Sequence, residues 1–128
     1  MVERRSILIC DDEASLRELV RGVLEIAPYD LYEARDGQEA VEAAERLKPD
    51  LILLDLMMPV MNGLQVLERV RAMDGGAEIP VVVLTASTRT ADRDAVERIP
   101  HAQLLVKPFS PMRLLELVEQ ILPARGSA

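Results

Sequence analysis

Hydrophobic positions along the chain fall into two alternating patterns. Short continuous apolar runs occur at Ile7–Cys10, Leu51–Leu54, Val81–Leu84 and Leu104–Val106, with a weaker one near Leu31–Ala34. Runs this short read as strands buried on both faces, as in a parallel sheet. Between them the apolar residues take helical spacing. Leu16, Leu19, Val20, Val23 and Leu24 share one helix face, as do Leu114, Leu117, Val118, Ile121 and Leu122. Ala40, Val41, Ala44 and Leu47 give another helix, and Val66, Leu67, Val70 and Met73 a further one. The faintest pattern is Ala91, Ala95, Val96 and Ile99, crowded by Arg89, Asp92, Arg93, Asp94, Glu97 and Arg98.

Local signals place the boundaries. Asp36 with Glu39, and Asn62 with Gln65, have the spacing of capping boxes, and Ser110-Pro111 reads as an N-cap followed by proline at the first helical position. Gly75-Gly76 is expected to end the third helix and Pro80 to open the fourth strand. The order is five strand–helix units, (βα)5. It implies an α/β fold with a five-stranded parallel sheet and helices on both faces, joined by right-handed crossovers. Residues 123–128 read as a tail or the start of a linker, so 1–128 is expected to form one domain with its core at about 6–122.

Composition narrows the function classes. The 128 residues are 49% apolar, enough for a buried core. A net charge of −7 leaves no basic surplus for phosphate contacts, so direct nucleic-acid binding is not expected. One cysteine forms no internal disulfide, and no apolar run approaches the ~20 residues of a membrane span. Without a signal-peptide core at the N-terminus, a cytoplasmic location is expected. Aromatic content of 2% argues against a stacking platform.

In an open parallel sheet, function collects at the carboxyl ends of the strands. Asp11, Asp12 and Glu13 follow the first run, Asp55 the third, Thr85 ends the fourth, and Lys107-Pro108 follows the fifth. Crowded carboxylates raise one another's pKa unless a cation is present, and oxygen ligands of this kind suit a hard ion such as Mg²⁺. A carboxylate can attack phosphorus to give an aspartyl phosphate, with an ammonium and a hydroxyl offsetting charge on the transferring group. Cys10, among apolar neighbours, reads as core. His101 reads as a surface loop residue, and Met57, Met58 and Met61 as loop packing.

The segments Ile7-Leu8-Ile9-Cys10-Asp11-Asp12-Glu13, Leu53-Leu54-Asp55-Leu56-Met57-Met58-Pro59, Asn62-Gly63, Leu84-Thr85-Ala86 and Lys107-Pro108-Phe109 occur in that order. Thr85 lies 30 residues after Asp55, and Lys107 lies 22 after Thr85. From about Ser6 to Leu122 the chain resembles the receiver domain of two-component response regulators, of the chemotaxis-regulator-like superfamily. The resemblance implies a doubly wound, flavodoxin-like fold and a phosphorylation-controlled switch. Asp55 would be the phospho-acceptor. Mg²⁺ would be bound by Asp12 directly, by Asp11 chiefly through water, by Asp55 and by the backbone carbonyl of Met57. Thr85 and Lys107 would stabilise the phosphoryl group, and the Lys107–Pro108 bond would be cis. The donor would be a histidine kinase or histidine phosphotransfer protein, and the signal would pass to an output protein or domain.

Two positions depart from the family pattern. Leu104 stands where receivers commonly carry a Tyr or Phe that moves inward on activation, and leucine has no such ring to swing. Pro100-His101 replaces the usual Gly-Ala, so the fourth helix is expected to end differently, since proline is locked near −65°. Output would then depend on charge and backbone movement around Thr85 and Ser87, or use another surface. Met57 and Ser87 lie where they would gate attacking water, and neither side chain would accelerate dephosphorylation strongly.

Three other readings are distinguishable. Phosphatases of the haloacid dehalogenase type carry an acid two residues after the nucleophile, where this chain has Met57. A nucleotide- or flavin-binding domain needs a Gly- or Ser/Thr-rich loop after the first strand, where Asp11-Asp12-Glu13 stands. An unphosphorylated pseudo-receiver would not need the acid set. No turnover enzyme is expected beyond gain and loss of the chain's own phosphate.

Overall fold

The computed structural model describes residues 4–86 and 89–122. Five strands, β1 (Arg5–Cys10), β2 (Tyr29–Ala34), β3 (Leu51–Asp55), β4 (Val81–Thr85) and β5 (Ala102–Val106), alternate with five helices. The helices are α1 (Ala14–Leu24), α2 (Gly37–Leu47), α3 (Gly63–Ala72), α4 (Thr90–Glu97) and α5 (Pro111–Ile121). All pairings are parallel and the sheet order is β2-β1-β3-β4-β5. This is the (βα)5 arrangement expected from the alternation, in the doubly wound, flavodoxin-like layout that the resemblance implied.

Successive strand residues point to opposite faces, and the two faces have separate cores. Ile7, Ile9, Leu51, Leu53, Val82 and Leu84 pack with Val20 and Leu24 of α1 and Leu114, Leu117 and Val118 of α5. Leu8, Cys10, Ile52, Leu54, Val81 and Val83 pack with α2, α3 and Val96 of α4. Fully burying each such Leu or Ile contributes roughly 1.5–3 kcal/mol. Every residue of β3 and β4 is buried, whereas the edge strands β2 and β5 are only partly covered. Cys10 lies in the core as expected, and burial pushes its thiol well above the ordinary range.

The helix ends match the local signals with small corrections. Asn62 forms a complete capping box with Gln65, and Ser110 accepts the Arg113 N–H with Pro111 following. At α2, Asp36 accepts the Glu39 N–H, but the Glu39 carboxylate takes the N–H of Arg35 rather than that of Asp36. Helix α3 stops at Ala72, before the expected Gly75-Gly76, and Met73 is already extended. Leu19 is 48% exposed, although its spacing puts it with the buried Val20 and Leu24. Helix α4 is short and buries only Val96. After α4 the left-handed turn falls on His101, at φ 61°, while Arg71 donates to the carbonyls of Pro100, His101 and Gly76. Ser87 and the tail at 123–128 lie outside the described residues.

The chain runs from β1 outward to β2, then crosses back to β3. The order therefore reverses between β1 and β3, and ligands of open α/β sheets bind outside the carboxyl ends at such a point. Cys10 pairs with Leu54, so Asp11 and Asp55 are the next residues along adjacent strands.

Candidate functional site

Three carboxylates meet at this reversal. Asp11 and Asp55 are buried and Asp12 is exposed, with one ligand oxygen from each lying within 4.8 Å of the others. The Lys107 ammonium, arriving from the end of β5, lies 3.2 Å from Asp11 Oδ2 and 3.4 Å from Asp55 Oδ1. The Lys107–Pro108 peptide is cis, as expected, and the Lys107 N–H donates to the Thr85 carbonyl at 2.7 Å.

The electrostatics follow from the crowding. Burial, and then the neighbouring Asp11, push the Asp55 carboxyl above the ordinary Asp range, while the Met57 N–H and Lys107 oppose the rise. For Lys107, burial acts to lower the pKa, but Asp11 and Asp55 more than offset it and hold the group above the usual lysine value. The site therefore keeps a charged ammonium facing two buried acids. Its geometry and donor set suit a hard divalent cation: three carboxylates converge, one of them open to solvent.

Backbone features fix Asp55. Its Oδ1 accepts the Met57 N–H at 3.2 Å. Gly63, at the start of α3, packs so closely that an added Cβ would lie 2.5 Å from the Asp55 carbonyl oxygen and 2.8 Å from Leu56 Cα. Between them, the Met61 N–H donates to the Pro59 carbonyl around Val60, whose φ is 71°. That is a γ-turn in its rarer, strained form, carried by a β-branched residue.

Of the residues singled out from sequence, Asp11, Asp12, Asp55 and Lys107 come together in one cluster. Thr85 is fully buried at the end of β4, one step beyond Leu84, the register partner of Asp55. Met58 is buried and Met61 packs on the core, but the Met57 side chain is 69% exposed and does not act as loop packing. Leu104 is half-buried on β5 opposite Val83, and lines a surface cavity with Arg93, Glu97 and Val106 rather than the acid cluster. His101 is exposed, as expected. Two features were missed: Arg17, whose guanidinium donates to the Asp11 carbonyl, and a groove of Glu13, Leu16, Leu19, Pro108 and Phe109 beside Lys107. Nothing in the sequence signalled the groove, because the helical spacing groups Leu19 with the buried Val20 and Leu24.

Comparison with known proteins places the geometry in context. Residues 7–119 match the family model described as the response regulator receiver domain. The DNA-binding response regulator MtrA of Mycobacterium tuberculosis is 41% identical over 115 residues, covering 90% of this chain and 49% of that protein. The phosphate regulon transcriptional regulatory protein PhoB of Pseudomonas aeruginosa is 34% identical over 122 residues, covering 95% and 53%. The chain thus spans about half the length of these relatives. Among solved structures, the chemotaxis protein CheY4 of Vibrio cholerae superposes with a TM-score of 0.86 at 32% identity, covering 94% of this chain and all of that one. The receiver domain of sensor histidine kinase PA1611 from Pseudomonas aeruginosa, with a magnesium ion coordinated in its active-site cleft, superposes at 0.83 with 28% identity, covering 92% and 97%.

Proposed function

The chain belongs to the response regulator receiver family, whose members are phosphorylated on aspartate by histidine kinases, and from that premise we propose that Asp55 is the phospho-acceptor of a Mg²⁺-dependent switch. The observation that carries this assignment is the placement of Asp55 against Lys107, with Asp11 and Asp12 within reach of a shared cation.

Asp11, Asp12, Asp55 and the Met57 carbonyl would hold a hard divalent cation, which when bound would supply charge neutralisation for the phosphoryl oxygens. The remaining work belongs to the side chains. An Asp55 carboxylate oxygen attacks phosphorus as the bond to the donor imidazole nitrogen breaks, and that nitrogen keeps the electron pair and is protonated. Lys107 leaves Asp55 to pair with a phosphoryl oxygen, and the Thr85 hydroxyl donates to another. In this reading signalling depends on charge and backbone movement beyond Thr85, or uses another surface. With Leu104 on β5, no aromatic ring takes part at that position.

The partners in this reading are a histidine kinase or histidine phosphotransfer protein upstream, and an output protein or domain downstream. The receiver core spans about 6–122 and works in the cytoplasm. It catalyses only the gain and loss of its own phosphate. Among the described residues no helix is long and apolar enough to cross a membrane. The acidic charge gives residues 1–128 no footprint for direct nucleic-acid contact. Incubation with acetyl phosphate and Mg²⁺, followed by intact mass measurement, tests the chemistry. One added phosphate that is absent in Asp55→Asn is expected. Equal labelling of that variant would overturn the assignment.

A further inference from the structure

The turn that carries Asp11 and Asp12 has an unusual anchor. Helix α1 opens without a side-chain cap: Glu13 occupies the N-cap position and makes no capping hydrogen bond. Instead, Arg17, one turn into the helix, reaches back. Its Nη1 donates to the Asp11 carbonyl at 2.7 Å, and its Nε pairs with Glu33 Oε1 of β2 at 2.9 Å. Arg21 holds the other Glu33 oxygen and the Leu31 carbonyl. The Arg17 side chain is only 11% exposed, while the Glu33 carboxylate it pairs with stays open to solvent at 34%. Burial tends to raise the Glu33 carboxyl, but the two arginines outweigh it and hold the group below the ordinary range.

Every polar group of Asp11 is thereby committed. Its N–H donates to the Ala34 carbonyl, Oδ1 accepts the Glu13 N–H, Oδ2 faces Lys107, and its carbonyl accepts from Arg17. Asp12 is the contrast: among the described residues its exposed carboxylate makes no hydrogen bond or ion pair, so the backbone turn is what places the point from which it projects. We propose that Arg17 is a positioning residue for the cation site, holding the Asp11–Asp12 peptide from which the Asp12 carboxylate projects by tying the Asp11 carbonyl to Glu33. The inference rests on the cation reading given above. It makes α1 and the edge strand β2 part of the cation site's support.

The sign of the effect separates positioning from charge. An arginine beside an acid cluster repels a cation, so removing its charge should tighten binding if Coulomb interaction were its only role. Loss of a partner that orients a ligand instead weakens binding, commonly about 10–100-fold. The test titrates Mg²⁺ alone into wild type, Arg17→Gln, Arg17→Lys and Arg21→Gln, following the amide shifts of Asp12 and Glu13, with thermal melts recorded without Mg²⁺. Arg17→Gln is expected to bind about 10-fold more weakly or worse. Arg17→Lys, which keeps the charge but cannot fork to both acceptors, should lose a few-fold and secures the test if the Gln variant fails to fold. Arg21→Gln should stay within about two-fold of wild type even where its melting temperature falls. Unchanged or tighter binding in both Arg17 variants would overturn the inference and leave the cation site intact. No binding by wild type at millimolar Mg²⁺ would overturn the cation reading and this inference with it.

Discussion

Lys107 and Asp55 meet at 3.4 Å across the carboxyl end of the sheet, although β4 separates the strands that carry them. The contact is made possible because Lys107 follows β5 directly and its N–H is held on the Thr85 carbonyl. The same ammonium lies 3.2 Å from Asp11, so one cation restrains two buried acids.

Removing that cation should therefore act on both stability and chemistry. Lys107→Met is expected to lower stability in Mg²⁺-free buffer by roughly 1–2 kcal/mol and to slow labelling by small phosphodonors about 100-fold, the scale for loss of one charge-stabilising donor. Urea melts and time-resolved intact mass check the two parts. Wild-type labelling rates in the variant would contradict the assigned role.

Asp55 itself should be a source of instability. Its carboxyl is held above the ordinary range by burial and by Asp11, so the folded state binds its proton more tightly than the unfolded state. Stability is then greatest below the unfolded pKa and falls as pH rises through the raised folded value. Asp55→Asn should be more stable than wild type at neutral pH without Mg²⁺, by about 1 kcal/mol. The gap should close in acid, and added Mg²⁺ should favour wild type. Denaturant melts at two pH values read this directly, and a gap that widens in acid would refute it.

Gly63 makes a sharper steric prediction. A Cβ there would stand 2.5 Å from the Asp55 carbonyl oxygen, and rigid backbone cannot yield as a flexible side chain can. Gly63→Ala should lose about 2 kcal/mol of stability, within the range for overpacking, and should lose labelling at Asp55. Thermal melts and mass labelling suffice to check it.

Val60 predicts the opposite sign. A β-branched residue at φ 71° is strained, and its side chain is 78% exposed, so little packing is lost on removal. Val60→Gly should stabilise the fold by about 1 kcal/mol, since relief of strain of roughly 1–3 kcal/mol is partly offset by the greater entropy of unfolded glycine. A loss of stability would show that Val60 makes contacts that outweigh its strain.

How much of this was legible in the sequence depended on what each signal reports. Leu51–Leu54 and Val81–Leu84 were clear because central parallel strands are buried on both faces. Strand β2 was faint because it is an edge strand in which Tyr32 and Glu33 face solvent. The acids, Thr85 and Lys107 were legible because each stands at or just past the end of a strand. Arg17 was not, since its role depends on a carbonyl and on a β2 glutamate that helical spacing does not reveal. The exposure of Met57 and the left-handed His101 were equally hidden, being set by loop paths rather than by local pattern.

The most direct measurement locates the phosphoryl group. Protein treated with acetyl phosphate and Mg²⁺ is reduced with borohydride, which converts an aspartyl phosphate to homoserine, and its peptides are then sequenced by mass spectrometry. Homoserine at position 55, absent when Mg²⁺ is withheld, is the predicted result. Modification at Asp11 or Asp12 instead, or none in folded protein, would contradict the account.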